Sequence, residues 1–252
     1  MKTTNNTILI TGGGSGIGRA LAEAFHTLGN QVIISGRREK ALDETTAANP
    51  GMKSLTVDMT DPASIRSFAA RLAEAHPSLN VLVNNAGIMR SENLLAQPED
   101  LTDAEVTVMT NLLGPIRLTT ALLPLLQKQP RATVMTVSSG LAFVPMATTP
   151  TYCATKAAIH SYTQSLRYQL KGTAVEVLEI IPPYVATTLT GEHQAEDPNA
   201  MPLNDFITEV IDILKTQPAA TEICVKKVYP LRFATEEGQE KYEQVFQGVN
   251  AP

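Results

Sequence analysis

Five of the chain's 15 glycines fall within seven residues, Gly12 to Gly18, directly after the apolar run Thr7-Ile8-Leu9-Ile10-Thr11. An unbroken aliphatic run of this length reads as a strand buried on both faces, and the glycines stop it. Ile17, Ala20, Leu21, Ala24, Phe25 and Leu28 then recur at helical spacing until Gly29-Asn30 ends the helix. Glycine permits positive φ, lets an anion approach bare backbone, and lets a helix pack closely on the preceding strand. The helix N-terminus adds free N–H groups and the positive end of its dipole, a setting that favours phosphate. No register gives GxGxxG. The pattern is TGxxxGxG through Thr11, Gly12, Gly16 and Gly18, with Ser15 and Ile17 inside it. A tight turn without a ligand would need fewer glycines.

The same strand-then-helix alternation continues to the C-terminus. Strands are expected over residues 32–35, 53–57, 81–83, 132–138 and 175–181, with a seventh over 222–228. Helices are expected over 38–48, 61–75, 151–170 and 204–215, and a long helical stretch over 102–127, interrupted at Gly114-Pro115 and Pro124. Asp61 caps the helix that has Pro62 in its first turn. The expected fold is a doubly wound α/β Rossmann fold, a mostly parallel sheet of about seven strands with helices on both faces. The 252 residues allow one or two domains, but no linker, repeat or low-complexity tract divides them, so residues 1–252 are expected to form one. Residues 187–202, with Gly191, Pro198 and Pro202, follow a strand's C-terminal end and are expected to form a substrate lid.

Composition narrows the function. The net charge is −5 and no basic stripe is present, which argues against nucleic acid. No apolar run is expected to reach the roughly 18 residues a membrane span needs. The polar residues 1–7 leave no room for a signal peptide, so a cytoplasmic protein is expected. Cys153 and Cys224 have no CxxC partner, and His26, His76, His160 and His193 show no metal-ligand spacing, so no metal is expected.

Dinucleotide sites for NAD usually carry Asp or Glu near the end of the second strand. Here the residues are Ser35-Gly36-Arg37-Arg38, with no acid before Glu39. An arginine there suits a 2′-phosphate, which it holds by charge-assisted, bidentate bonds. A solvated basic helix start is the bland alternative. The expected cofactor is NADP(H) in preference to NAD(H). Tyr152 and Lys156 stand four apart in a helical segment and share one face, and Ser139 ends the fifth strand.

With these residues on one chain, the sequence resembles the short-chain dehydrogenase/reductase family over about residues 7–190. The resemblance rests on the TGxxxGxG turn, Asn84-Asn85-Ala86-Gly87, Asn111, and the Ser139, Tyr152, Lys156 spacing. It implies that Tyr152 is the general acid in carbonyl reduction and the base in alcohol oxidation. It implies that Lys156 holds the nicotinamide ribose and favours the phenolate, and that Ser139 hydrogen-bonds the substrate oxygen. Asn111 would bind a water that links Lys156 to solvent. Asp58 would contact adenine, Asn85, Ala86 and Gly87 the adenosine-ribose side, and Thr187 and Val185 the carboxamide end. The residues also admit plainer readings. Asp58 fits a helix cap, Asn84-Asn85 a turn, and Asn111 a polar break in a helix. His160 suits packing better than proton relay, and Cys153 suits the core.

Two departures from the family stand out. Pro182-Pro183-Tyr184 replaces the family's usual Pro-Gly, and Pro183 fixes φ and removes an N–H. The ending, through Leu231-Arg232-Phe233-Ala234 to a charged segment, resembles the DltE-like branch. A homodimer through the helices bearing Asn111 and Tyr152 is expected, with a tetramer as the alternative. Leu141, Phe143, Val144, Pro145 and Met146, facing Met89, Tyr184 and Leu189, would give an apolar substrate wall. Arg90 would either meet an anionic group or stand in solvent. The implied substrate is a small-to-medium hydrophobic ketone or aldehyde, or its alcohol. A catalytically silent NADP(H) sensor and a non-redox dehydratase or epimerase are the rivals.

Overall fold

Seven strands lie side by side in the computed structural model, which describes residues 1–96 and 100–251. They are β1 (Thr7–Thr11), β2 (Gln31–Gly36), β3 (Lys53–Thr56), β4 (Val81–Asn84), β5 (Ala132–Val137), β6 (Val175–Ile181) and β7 (Glu222–Cys224). Their order is β3-β2-β1-β4-β5-β6-β7 and every neighbouring pair is parallel. This is the doubly wound Rossmann order with one strand added at the edge. Parallel neighbours require a crossover between them, and the helices that supply it cover both faces. They are α1 (Gly16–Thr27), α2 (Glu39–Ala48), α3 (Pro62–Ala75), α4 (Thr102–Val108), α5 (Gly114–Leu126) and α6 (Pro150–Gln169). After β6 come α7 (Glu192–Glu196), α8 (Leu203–Thr216), α9 (Tyr229–Arg232) and α10 (Gln239–Val249).

Alternate residues of each strand feed two cores. Ile8 and Ile10 pack with Leu21, Phe25, Phe206 and Val210, while Leu9 packs on the other face with Phe68, Leu72, Leu118 and Leu122. Phe25, Phe68 and Phe206 are fully buried, each contributing roughly 1.5–3 kcal/mol of hydrophobic stabilisation. Asp61 caps α3 as expected, its carboxylate accepting from the Ala63 amide at 2.8 Å.

The differences from expectation have local causes. The seventh strand stops at Cys224, opposite Ile181 where its partner β6 ends, and the Lys226 amide beyond it is taken by the Glu209 carboxylate at 2.7 Å. Between α4 and α5 the chain takes one π turn, Met109–Leu113. Pro115, in the first turn of α5, has no N–H to continue the regular repeat, and the wider turn falls just before it. Pro124 lies inside α5 without ending it. The combined stretch Thr102–Leu126 is long and apolar enough to cross a bilayer by length and composition, which corrects the expectation that no run comes near that limit. Leu118, Leu122 and Leu126 are wholly buried against the sheet and α3, as in a core helix.

The parallel arrangement sets the C-terminal ends of β1, β4, β5 and β6 along one edge, where the glycine turn, Asn84-Asn85, Ser139 and Pro182 all emerge. One hydroxyl ties two of these ends together. Thr11 Oγ1 accepts from the Asn85 and Ala86 amides, each at 3.0 Å, and donates to the Val83 carbonyl at 3.3 Å. The Asn85 side chain returns a bond to the Thr11 carbonyl at 2.9 Å. Thr11→Val keeps the shape but strands two amides, each costing roughly 1–3 kcal/mol. Urea unfolding is expected to give a loss of about 2 kcal/mol or more. An unchanged midpoint would contradict the role given to this hydroxyl.

Candidate active site

The glycine turn is shaped by its neighbours. Gly12 has φ of 71°, and a Cβ there would lie 2.9 Å from Asn85 Nδ2 and 3.0 Å from Ala86 Cα. A Cβ at Gly18 would lie 2.3 Å from both the Gly12 carbonyl and Asn85 Nδ2, so side chains are barred at both positions. Gly16 differs: its φ is 51°, and a Cβ would meet nothing nearer than Thr187 at 3.6 Å. Ser15 stands at the N-cap of α1 with extended backbone, its side chain caps no amide, and the first turn holds no acid. Arg38 reaches this turn, donating to Ser15 Oγ at 3.3 Å. An uncapped helix start, a glycine of positive φ and a guanidinium beside them fit the phosphates of a dinucleotide.

Asp58 lies just beyond β3. Its carboxylate accepts from the Thr60 amide at 2.9 Å and the Thr60 hydroxyl at 2.8 Å, so it shapes the turn before α3 while Asp61 does the capping. Burial raises its pKa, but the two Thr60 bonds and the Arg37 charge outweigh burial and hold the carboxyl below the ordinary carboxylate value. Arg37 and Arg38 are both exposed.

Ser139 ends β5 with extended backbone, and its hydroxyl accepts from the Leu141 amide at 3.1 Å. Tyr152 and Lys156 project from the first turns of α6 and are 7% and 5% exposed. The Lys156 ammonium donates to the Val137 carbonyl at 2.9 Å and lies 5.5 Å from the centre of the Tyr152 ring. Gly87 completes this cluster: a Cβ there would be 3.4 Å from Asn111 Oδ1 and 3.6 Å from Lys156 Nζ. Asn111 sits in the π turn and both ends of its amide are engaged. It accepts from the Ile88 amide at 2.9 Å and donates to the Ile88 carbonyl at 2.8 Å and to Thr155 Oγ1 at 3.3 Å. The π turn, the segment after β4 and α6 are thus fastened through one side chain.

Burial pushes the Tyr152 phenol up to about 12, with the Ser139 hydroxyl opposing the shift. Burial also draws the Lys156 ammonium down to about 8, opposed by the charge of Glu179. Glu179 is a residue that spacing alone does not single out. Its only signal is that it is one of two carboxylates in the strand Val175–Ile181, the other, Glu176, being only part-buried. It is fully buried, and His160 Nδ1 stands 2.9 and 3.0 Å from its two oxygens. His160 also packs edge-on against Phe143 at 4.7 Å, a packing role that takes it away from Tyr152. His160, Glu179 and Glu222 form a group with metal-ligand chemistry, but Arg232 Nε already binds Glu222 at 2.7 Å and supplies the positive charge there.

The expected substrate wall divides. Val144 is fully buried, and Phe143 is held between His160 and the Arg232 guanidinium, the latter 4.7 Å from its ring centre. Leu141, Pro145 and Met146 line an apolar cavity of about 390 Å³ with Cys153, Ala154 and Phe246, on the side of α6 that Cys153 occupies. Tyr184 and Leu189 remain exposed, and Arg90 is an exposed partner of Asp103 at 3.7 Å. Val185 and Thr187 are both buried, Thr187 beside Gly16 of the glycine turn. At Pro183 the peptide bonds are trans, and the Pro182 carbonyl accepts from the Gly140 amide at 2.9 Å.

The lysine has a thermodynamic signature. Between about 8 and its ordinary 10.5 the unfolded chain binds the Lys156 proton while the folded chain has released it. Stability contributed by this group therefore rises with pH across that window. Wild type is expected to gain stability relative to Lys156→Met as pH climbs from 8 to 10, measured by urea unfolding. A flat or falling difference would show that the ammonium is not destabilised by burial.

The chain matches the short chain dehydrogenase family over residues 6–198. It is 39% identical over 253 residues to the uncharacterized oxidoreductase DltE of Bacillus subtilis (strain 168), covering 99% of this chain and 98% of that protein. It is 32% identical over 240 residues to sulfoacetaldehyde reductase 2 of Chromohalobacter salexigens, covering 90% of this chain and 95% of that one. The closed form of a serine dehydrogenase complexed with NADP+ superposes with a TM-score of 0.76 at 27% identity, covering 85% of this chain and 91% of its own. Fold, site and relatives agree: the chain belongs to the short-chain dehydrogenase/reductase family of oxidoreductases, as a DltE-like member.

Proposed function

We propose that this chain is an NADP(H)-dependent oxidoreductase that interconverts a small-to-medium hydrophobic ketone or aldehyde and its alcohol. The observation that carries the reading is the buried Tyr152 and Lys156 pair, gathered with Ser139 at the sheet edge onto which the glycine turn opens. A bound nicotinamide dinucleotide supplies the hydride. The Tyr152 phenol, protonated at neutral pH because burial lifts it to about 12, gives its proton to the substrate oxygen during reduction. The Lys156 ammonium then lies beside the phenolate and stabilises it, and in the same position it can meet the ribose hydroxyls. Ser139 donates to the substrate oxygen as negative charge develops there. Asn111 keeps α6 and the segment after β4 in register, which fixes where Lys156 stands.

Arg37 and Arg38 are proposed to hold the 2′-phosphate, Gly12, Ser15, Gly16, Ile17 and Gly18 the pyrophosphate, and Asp58 the adenine. Asn85, Ala86 and Gly87 would line the adenosine-ribose side, and Val185 and Thr187 the carboxamide. The exposed Tyr184 and Leu189 at the mouth support an apolar substrate, with residues 187–202 as its cover. The partly exposed apolar residues of α5, among them Ile116 and Leu123, support a homodimer through the helices next to Asn111 and Tyr152.

Two assays test this reading. In NADPH oxidation with a panel of hydrophobic carbonyl compounds, Tyr152→Phe is expected to lower kcat by about 10²–10⁴-fold. Turnover that survives the substitution would remove Tyr152 from its role, and cofactor binding without turnover on any carbonyl would favour a sensor. Arg37→Asp is expected to weaken NADPH binding by about tenfold or more while NADH binding changes little. Equal affinities before and after would end the 2′-phosphate argument.

A further inference from the structure

Among residues 188–199 a single side chain is buried, that of Gln194 on the five-residue helix α7. Its amide has a partner at every position. Oε1 accepts from the Thr190 amide at 3.0 Å and the Thr190 hydroxyl at 2.8 Å. Nε2 donates to the Val185 carbonyl at 2.8 Å and to Thr187 Oγ1 at 3.2 Å. A backbone N–H can only donate and a carbonyl can only accept, so these partners fix which end of the amide is which. A helix this short does not hold itself in water. The buried amide is what fastens residues 188–196 to the end of β6.

The network decides what is left over for a ligand. The Thr187 oxygen accepts from Gln194 and, at 3.4 Å, from the Leu189 amide, so its own O–H remains to donate. The Val185 carbonyl is occupied, while its N–H meets no acceptor among the described residues. Thr187 stands by the opening of the glycine turn, its Cβ and Cγ2 lying 3.6 Å from where a Cβ at Gly16 would be. A spare N–H and a spare O–H on two residues tied to one Gln194 nitrogen suit an amide carbonyl oxygen.

We propose that Gln194 is a positioning residue for the nicotinamide half of the cofactor, setting the Val185 amide and the Thr187 hydroxyl as donors toward the carboxamide. The proposal rests on the dinucleotide reading above. In Gln194→Glu a carboxylate replaces the donating nitrogen. It faces the Val185 carbonyl without a proton to share, and it turns the Thr187 hydroxyl inward as a donor. Gln194→Met removes both functions with similar volume and no charge.

The test compares the whole cofactor with its adenosine half by calorimetric titration. For both variants the dissociation constant of NADPH is expected to rise about tenfold or more, the scale of one to two lost hydrogen bonds. That of 2′,5′-ADP, which lacks the nicotinamide, is expected to stay within about twofold. Equal weakening of both ligands would make Gln194 a merely structural residue and overturn the proposal, as would unchanged NADPH binding. If wild type ignores 2′,5′-ADP, the 2′-phosphate reading fails instead. NADH against ADP-ribose then decides on Gln194 by the same criterion.

Discussion

The site is organised around one buried ammonium. Lys156 has left water, makes one hydrogen bond to a β5 carbonyl, and lies against the ring of Tyr152. Burying a charge is costly unless other groups compensate, and here the compensation comes from several elements at once. The β5 carbonyl faces it, and Glu179 on β6 acts on it through the protein interior. Glu179 is in turn held by His160, one turn further along the helix that carries Lys156. Tyr152 shares the same dry environment, which raises the phenol and lowers the ammonium, moving the two titrations apart. A proton at the tyrosine and a positive charge beside it are what reduction of a carbonyl requires.

The cofactor half and the reactive half are joined by backbone packing. Asn85 bonds to Thr11, and its side-chain nitrogen fills the space that a Cβ at Gly12 or Gly18 would need. Two turns from different strands therefore behave as one piece. Asn111 makes the corresponding junction on the other side, between the π turn, Ile88 and α6. The π turn itself falls just before Pro115, so an irregularity written into the sequence by one proline places the asparagine that fastens the site.

Much of this was legible in the residues. Alternation of aliphatic runs with helical spacing gave the strand order its raw material, and the glycines at 12 and 18 marked the turn because their lack of a side chain is a packing requirement. Tyr152, Lys156 and Ser139 were recognisable by spacing. Glu179 was hidden, because it is one of two acids in its strand, nothing in the spacing sets it apart from Glu176, and only the fold brings His160 to it. The apolar segment before Tyr152 was misread as one wall, since its residues divide between the core, the Arg232 contact and the groove beside Cys153. That division depends on α9 and α10, whose positions are set by contacts distant in sequence, such as Asn250 accepting from the Ala147 amide at 2.6 Å.

The claim that unites the site is that hydride passes from a nicotinamide to a carbonyl carbon in this cleft. NADPH carrying deuterium at both C4 positions, incubated with the protein and a hydrophobic ketone, tests it by mass spectrometry of the product. The account predicts an alcohol carrying one deuterium on its carbinol carbon. Alcohol formed without the label, or labelled NADPH that binds and yields no alcohol from any carbonyl compound, would contradict it.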